Sequence, residues 1–120
     1  MRKKNSTNYL NEQAFTEKCP ITTTMAIVGG RWKMIILWQL RHEVLRYHEL
    51  RNAIPGVSEK MLSQQLKDLV NKGWIHKKEY QVTPPRTEYA LTDLGQSFIP
   101  VLQSIYDWGI AHQVTAMDQH

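Results

Sequence analysis

A run of hydrogen-bonding side chains between residues 58 and 72 is the part of this sequence that best indicates chemistry. Wound at 3.6 residues per turn, the segment gathers these side chains on one side, opposite an apolar stripe. Lysine, serine, glutamine and asparagine can donate to phosphates and to base edges in a major groove. The polar side holds Lys60, Ser63, Gln64, Lys67 and Asn71, and the stripe holds Leu62, Leu66, Leu69 and Val70. The alternative is an ordinary amphipathic helix with a solvated side.

Cys19 is the only cysteine in the chain and therefore the only candidate for redox chemistry. A reactive thiol needs a lowered pKa, which a helix N-terminus or a nearby cation provides. Lys18 precedes the cysteine, and a helix is expected to begin just after Pro20. The alternative is a small buried apolar side chain, a common role for cysteine. A single thiol can form a disulfide only with a second chain or with a small thiol.

The sequence lacks the patterns that are typical of enzymes and metal proteins. None of the five histidines lies four residues from another, and none pairs with the cysteine at zinc-ligand spacing. We find no glycine-rich phosphate loop, nucleophile elbow or paired carboxylates. We therefore expect no metal, no cofactor and no enzymatic activity. A thiol enzyme built on Cys19 would lack both a catalytic base and a second cysteine.

The segments on either side of the polar face predict how it is presented. A helix is expected over residues 47–54, and Pro55 and Gly56 then break the chain. Ser58 is a favourable N-cap for the next helix, and Gly73 is a favourable stop. A helix, a tight turn with glycine and a second, polar-faced helix form the order of a helix-turn-helix.

A β-hairpin is predicted directly after this pair of helices. Residues 74–80 and 86–91 can each form a strand, whereas Pro84 and Pro85 between them remove ladder donors. The hairpin is expected to have a basic tip formed by Lys77, Lys78 and Arg86. A hairpin in this position is a wing. The segment 42–45 is expected to be a loop or a very short strand.

The two ends of the chain have different patterns. Residues 1–18 are predicted to be a polar arm, with a short helix near 9–18, and residues 19–118 to be one domain that opens with helices near 21–28 and 31–41. Thr92 is expected to cap a last helix with a broad apolar stripe. The stripe could be all core, but we expect it to be shared between the core and a dimer interface. It comprises Leu94, Phe98, Val101, Leu102, Ile105 and Trp108.

Basic residues are confined to the first part of the chain. Of the 120 residues, 1–86 hold all 15 lysines and arginines and seven of the 11 acidic side chains, a formal charge of +8. Residues 87–120 hold only four acidic side chains, a charge of −4. A polyanion-binding part followed by a part with another task fits this division. Without a signal-peptide core or an apolar run of transmembrane length, we expect a cytoplasmic protein that does not enter membranes.

The chain from Cys19 to about His112 resembles the HxlR-type family of bacterial, MarR-like winged helix-turn-helix transcription regulators. The matching motifs follow one another in the order and spacing of that family, although Tyr47 stands where the family usually has phenylalanine. The motifs are C-P at 19–20, I-V-G-G-R-W-K at 27–33, Y-H-E-L-R at 47–51, I-P-G-V-S at 54–58, M-L-S-Q-Q-L-K-D-L at 61–69, P-P-R-T-E-Y-A-L-T at 84–92 and W-G at 108–109.

The resemblance implies a mainly α-helical fold with a small β-hairpin and with N- and C-terminal dimerisation helices. It further implies a homodimer that regulates transcription by binding double-stranded DNA at a pseudo-palindromic operator, and a thiol at Cys19 that responds to an oxidant or electrophile. From their positions, Lys60 and Gln64 are predicted to reach base edges, and Arg46, Arg51, Lys77 and Arg86 to meet phosphates. The full predicted DNA-binding set is Arg46, Arg51, Ser58, Lys60, Ser63, Gln64, Lys67, Lys77, Lys78 and Arg86. The alternative is a winged-helix adaptor that binds another protein instead of DNA.

Overall fold

The computed structural model describes residues 19–112, which divide into two compact units between Gly30 and Arg31. In the first unit, helix α1 spans Pro20–Val28 and has Cys19 as its N-cap. Proline suits the start of a helix because its missing N–H would have no partner there. The helix expected near residues 21–28 is thus confirmed. The polar arm and the short helix predicted before Cys19 lie outside the described residues.

The second unit has the element order of a winged helix-turn-helix, as predicted from the sequence. Three helices precede the hairpin, two of 7 residues and one of 13, and a 20-residue helix follows it. The elements are α2 (Lys33–Gln39), β1 (Leu45–Arg46), α3 (Tyr47–Ala53), α4 (Glu59–Asn71), β2 (Ile75–Tyr80), β3 (Arg86–Leu91) and α5 (Asp93–His112). Among the described residues, none of these helices has the length and apolar character required to cross a membrane.

The wing hairpin is part of a three-stranded antiparallel sheet with the order β1-β3-β2. Tyr89 of β3 lies opposite Lys77 of β2 on one side and opposite Leu45 of β1 on the other. For the segment 42–45, the sequence analysis allowed either a loop or a very short strand. The structure shows a loop that leads into the two-residue strand β1. This strand ties the start of α3 to the wing.

The core of the second unit forms between α2, α3, α4 and the sheet. All three leucines of the α4 stripe are fully buried, and Val70 at its margin is half-buried. Because this stripe faces inward, the opposite side of α4 must face solvent. The buried side chains include Ile36, Leu37, Leu40, Leu50, Ile54, Leu62, Leu66, Leu69 and Ile75.

Helix α4 begins and ends where the sequence predicts. The hydroxyl of Ser58 accepts a hydrogen bond of 3.0 Å from the N–H of Met61, which satisfies one of the orphan donors of the first turn. After the helix, Gly73 has a φ of 82°, a left-handed conformation that favours glycine. The N–H of Trp74 then donates back to the carbonyl oxygen of Leu69, so the chain turns directly into β2.

Thr92 joins this turn to the start of α5. Its hydroxyl donates to the carbonyl oxygen of Gly73 at 2.6 Å and accepts from the N–H of Gly95 at 3.1 Å. A Cβ on Gly95 would collide with the carbonyl oxygen of Trp74, so only glycine permits this close approach. The predicted cap is confirmed, and it also anchors α5 to the end of α4.

Helix α5 runs from Asp93 to His112 and continues through Pro100. Tyr106 stacks on Trp38 of α2 at a centroid distance of 5.3 Å, which fixes one side of the helix. Leu102 is only 6% exposed and packs inside the unit, so it belongs to the core and leaves little surface for a partner chain. The other large side chains predicted for the interface form an outward stripe: Leu94, Val101, Ile105 and Trp108 are exposed, and Phe98 is half-buried.

Candidate nucleic-acid interface

The outward face of α4 presents the hydrogen-bonding residues that the sequence singled out. Lys60, Ser63, Gln64 and Lys67 are all exposed. Within residues 19–112, neither Lys60 nor Lys67 forms an ion pair. Two uncompensated ammonium groups next to an exposed amide give a positive surface that can donate to phosphates and to bases.

The turn between α3 and α4 is held by polar contacts that the sequence did not reveal. The hydroxyl of Tyr47 donates to the carbonyl oxygen of Glu59 at 3.3 Å and lies 3.4 Å from Oγ of Ser63. Arg51 forms a 2.9 Å ion pair with Glu59. Arg51, predicted as a phosphate contact, is therefore already paired within the protein. Ser58, also predicted to touch DNA, has its hydroxyl oxygen engaged as the helix cap.

The three predicted cations of the wing do not form a basic tip. The tip between β2 and β3 consists of residues 81–85, which are uncharged. Lys77 and Lys78 lie in the middle of β2, where successive side chains point to opposite faces. Lys77 lies across from Tyr89 and shares its face of the sheet, whereas Lys78 and Arg86 lie on the other face. The prediction of a basic tip was wrong, because the three cations lie within the strands and the strand register divides them between two faces of the sheet.

Arg86 packs on the outer face of the wing. Its guanidinium lies 4.2 Å from the ring centre of Tyr80, and its Nε lies 3.6 Å from a carboxylate oxygen of Glu88. The hydroxyl of Tyr80 donates to the same carboxylate at 2.8 Å. The Nε of Arg86 is enclosed and has no hydrogen-bond partner among residues 19–112. Arg86 therefore contributes to the packing of the wing. Lys78, whose Nζ lies 5.0 Å from the centre of the Tyr80 ring, is the more exposed cation on this face.

Two clefts separate the wing from the helices. One has a volume of about 520 Å³ and lies between α4 and β2, with Lys67 and Lys77 in its lining. The other, of about 710 Å³, lies between the start of α3 and the wing tip, and includes the exposed Arg46 together with Arg86. An ion pair of 3.1 Å with Glu79 raises the pKa of Lys77, so Lys77 stays cationic at neutral pH.

Asp68 joins α4 to α2 through one ion pair and also pairs with a lysine at the end of its own helix. Asp68 lies 3.0 Å from Nζ of Lys33 and 3.1 Å from Nζ of Lys72. The hydrogen bond from Lys33 is the main reason that the pKa of Asp68 lies below its ordinary value. The side chain of Lys33 is only 15% exposed, so removing its anionic partner costs more stability than it would for a fully solvated lysine.

This clamp predicts a specific pH dependence of stability. A carboxylate whose pKa is lowered by folding stabilises the folded protein at pH values above its pKa in the unfolded chain, about 3.9. This stabilisation is lost as the pH falls through the pKa of the carboxylate in the folded protein. Asp68→Asn should therefore lower the free energy of unfolding at pH 7 by up to about 1 kcal/mol, the range of exposed pairs. It should also reduce the loss of stability between pH 5 and 3. Urea titrations at each pH measure both effects, with Glu43→Gln, an exposed loop carboxylate, as the control. Equal pH profiles for Asp68→Asn and wild type would contradict the clamp.

Cys19 lies at the N-terminus of α1 and is half-buried. The backbone N–H groups of Thr22 and Ile21 stabilise its thiolate and lower the pKa of Cys19 from its ordinary value. A lowered pKa increases the fraction of thiolate at neutral pH, and the thiolate is the form that reacts. Within residues 19–112, no three His, Cys, Asp or Glu side chains come together as metal ligands.

Comparisons with known proteins agree with this arrangement. Residues 27–117 match the family described as HxlR-like helix-turn-helix. The HTH-type transcriptional regulator YdzF of Bacillus subtilis is 41% identical over 85% of this chain and 94% of its own. A MarR-family regulator from Porphyromonas gingivalis W83 superposes with a TM-score of 0.76 at 46% identity, over 78% of this chain and 92% of its own.

A further solved structure, the redox regulator HypR in its oxidized form, matches with a TM-score of 0.74 at 32% identity, over 78% of this chain and 96% of that chain. The relatives are transcription regulators rather than enzymes, in agreement with the expectation from the sequence. The protein is a winged helix-turn-helix transcription regulator, and its chain belongs to the HxlR-like helix-turn-helix family.

Proposed function

We propose that the protein binds double-stranded DNA in a sequence-specific manner as a homodimer. In this function α4 enters the major groove, and the wing contacts the backbone next to it. The observation that carries the proposal is the outward face of α4, where Lys60, Gln64 and Lys67 are exposed next to one another on a helix whose acidic side chains are paired elsewhere. An adaptor that binds another protein has no need for this concentration of donors.

The contacts divide by their position on the surface. Lys60 and Gln64 occupy the centre of the exposed face and reach base edges. Arg46 and Lys77 flank it and meet phosphates, and Lys78 takes the same role on the outer face of the wing. Arg51 and Arg86 contribute less, because Glu59 and Glu88 already partner them.

The basic test is binding to random duplex DNA at increasing salt. Each phosphate neutralised by the protein releases condensed counterions, so the logarithm of the binding constant falls linearly with the logarithm of salt concentration. Binding that fails to weaken as salt rises, or no binding at all, would contradict the proposal and favour an adaptor.

Gln64→Ala should separate base contacts from backbone contacts. Glutamine can form two hydrogen bonds to adenine, so its loss should weaken binding to a selected operator by about 1–3 kcal/mol and to random DNA by much less. Affinities for both duplexes are measured by fluorescence anisotropy, with Gln96→Ala on the exposed side of α5 as the control. Equal losses on the two duplexes would refute the base contact.

The dimer is formed through the outward stripe of α5. Leu94, Val101, Ile105 and Trp108 repeat at intervals of three, four or seven residues, the spacing of a helix seam. All four are exposed in the single chain, and the part of the sequence from residue 87 onward lacks lysine and arginine. A two-fold axis through this outward stripe lets the two copies of α4 lie about 34 Å apart, which is one turn of DNA. The two helices can then read the two halves of a pseudo-palindromic operator.

Cys19 is the redox-responsive group in this proposal. Support comes from its lowered pKa and from the similarity of the chain to HypR, which is described as a redox regulator. An oxidant such as diamide takes two electrons and two protons from two thiols and is itself reduced to the hydrazine. The two thiols are those of Cys19 in both chains, or Cys19 and a small cellular thiol. Either product adds a cross-link or bulk ahead of α1 and changes the spacing of the two DNA-binding units.

Cys19→Ser should remove this response. Operator affinity of the wild type should change after diamide or a quinone and recover after dithiothreitol, whereas Cys19→Ser should be unaffected by either treatment. Mass spectrometry of the treated wild type distinguishes a cross-linked dimer from a small-thiol adduct. If both proteins respond alike, or neither responds, Cys19 is a packing residue and any effector acts elsewhere.

A further inference from the structure

The cleft between α4 and strand β2 brings together donors from three separate elements. Lys67 comes from α4, Lys77 from β2, and Tyr47 from the first turn of α3. Ser63 and Asn71 add a hydroxyl and an amide from α4. Among residues 19–112, no carboxylate is part of the lining of the cleft, so its described polar lining is cationic or neutral. Such a lining suits an anion with several acceptor oxygens.

The register of the wing explains why Lys77 faces this cleft. Lys77 lies directly opposite Tyr89, which is buried, and opposite residues of neighbouring strands project from the same face. Lys77 therefore points toward the helices, whereas Lys78 points away from them. Its partner Glu79 is on the same face at 3.1 Å, but both side chains are well exposed. Exposed pairs are weak, so Lys77 can exchange Glu79 for a stronger anionic partner.

A strand of the duplex must pass through this region if the protein binds DNA as proposed. The major and minor grooves are separated by a sugar–phosphate backbone, so a protein with a helix in one groove and a wing beside the next encloses one backbone strand between them. From this geometry we infer that the cleft seats one backbone phosphate, which Lys67, Lys77 and the hydroxyl of Tyr47 bind together. The inference rests on the proposed function and gives it a defined contact.

The hydroxyl of Tyr47 is available for this role because its present contacts are long. It lies 3.3 Å from the carbonyl oxygen of Glu59 and 3.4 Å from Oγ of Ser63, whereas hydroxyl hydrogen bonds are usually about 2.7–2.8 Å. A phosphate oxygen at ordinary distance would be a better acceptor. Tyr47→Phe removes only this hydroxyl and keeps the aromatic ring.

The test replaces phosphates one at a time with neutral methylphosphonates in a duplex selected from random sequences for tight binding. For the wild type, replacement at one position per half-site should lower affinity roughly tenfold, the range of a charge-assisted hydrogen bond. In the double variant Lys67→Met/Lys77→Met the same replacement should have almost no effect, and in Tyr47→Phe a reduced one. Lys72→Met is the matched control, because Lys72 pairs with Asp68 and does not line the cleft. It should keep the full wild-type effect.

The comparison is made within each variant, as the ratio of affinities for the two duplexes, so that a general loss of affinity cancels. A full methylphosphonate effect in the double variant would overturn the inference while leaving DNA binding intact. Failure of the wild type to bind any duplex would overturn the proposed function and the inference together. Inorganic phosphate, at ionic strength matched with chloride, should compete for the cleft and weaken DNA binding by the wild type more than by the double variant. Equal weakening of both proteins would overturn the inference that the cleft seats a phosphate.

Discussion

Ile105→Glu is expected to yield a folded monomer that has lost about 100-fold or more of its affinity for the operator. Ile105 is 52% exposed in the single chain and lies in the middle of the outward stripe of α5. A carboxylate at this position would be buried without a partner in the proposed dimer but solvated in the monomer. The affinity falls because the two DNA-binding units no longer act at the high effective concentration of a linked pair.

Light scattering after size exclusion gives the mass, and circular dichroism shows whether the monomer is folded. Gln96→Glu adds the same charge on the opposite, exposed side of α5 and should remain a dimer with normal operator affinity. A folded dimer after Ile105→Glu would place the subunit contact outside this stripe.

Leu102→Ala should behave differently, although Leu102 is only three residues away. Its side chain is 6% exposed, so truncation leaves a cavity in the core and should lower the free energy of unfolding by about 2–5 kcal/mol. The protein that remains folded should still be a dimer. Urea unfolding at several protein concentrations separates loss of core packing from loss of association.

Val44→Ala, in an exposed loop, is the matched control and should change stability by less than about 0.5 kcal/mol. If Leu102→Ala instead left the unfolding of the chain unchanged but dissociated the dimer, Leu102 would belong to the subunit interface, as the sequence alone suggested.

The contrast between these two residues shows what periodicity can and cannot predict. Apolar residues at spacings of three and four identify α5 as an amphipathic helix, but the stripe is wide enough to serve two surfaces. Only the packing of Tyr106 on Trp38 and of Phe98 on Trp74 fixes which side meets the core. That information lies in other elements, so the pattern of α5 alone could not separate Leu102 from Ile105.

The candidate site was predictable to the extent that it depends on one helix. The start of α4 follows from the capping preference of Ser58, and its exposed face follows from three buried leucines at helical spacing. Both signals are local and strong.

Contacts between distant residues were not predictable in the same way. The ion pairs of Arg51 with Glu59 and of Asp68 with Lys33 depend on how helices pack, and strand β1 is too short to have a period of its own. The cations of the wing were identified by composition, but their division between two faces depends on the register of β2 against β3. The role of Tyr47 required the position of the wing as well.

The hydroxyl of Thr92 forms a rigid connection between two helices. It links Gly73, in the loop that ends α4, to Gly95, in the first turn of α5, and the absence of a Cβ at Gly95 lets this part of α5 approach the carbonyl oxygen of Trp74. Because these contacts hold the two backbones together, we expect the end of α4 and the start of α5 to move as one unit. In the proposed dimer, a small change in the angle at which the two α5 helices cross would therefore rotate each α4. This rotation would change the distance between the two α4 helices along the DNA axis. A change at the outward stripe of α5 could therefore alter operator binding without a flexible segment between the two surfaces.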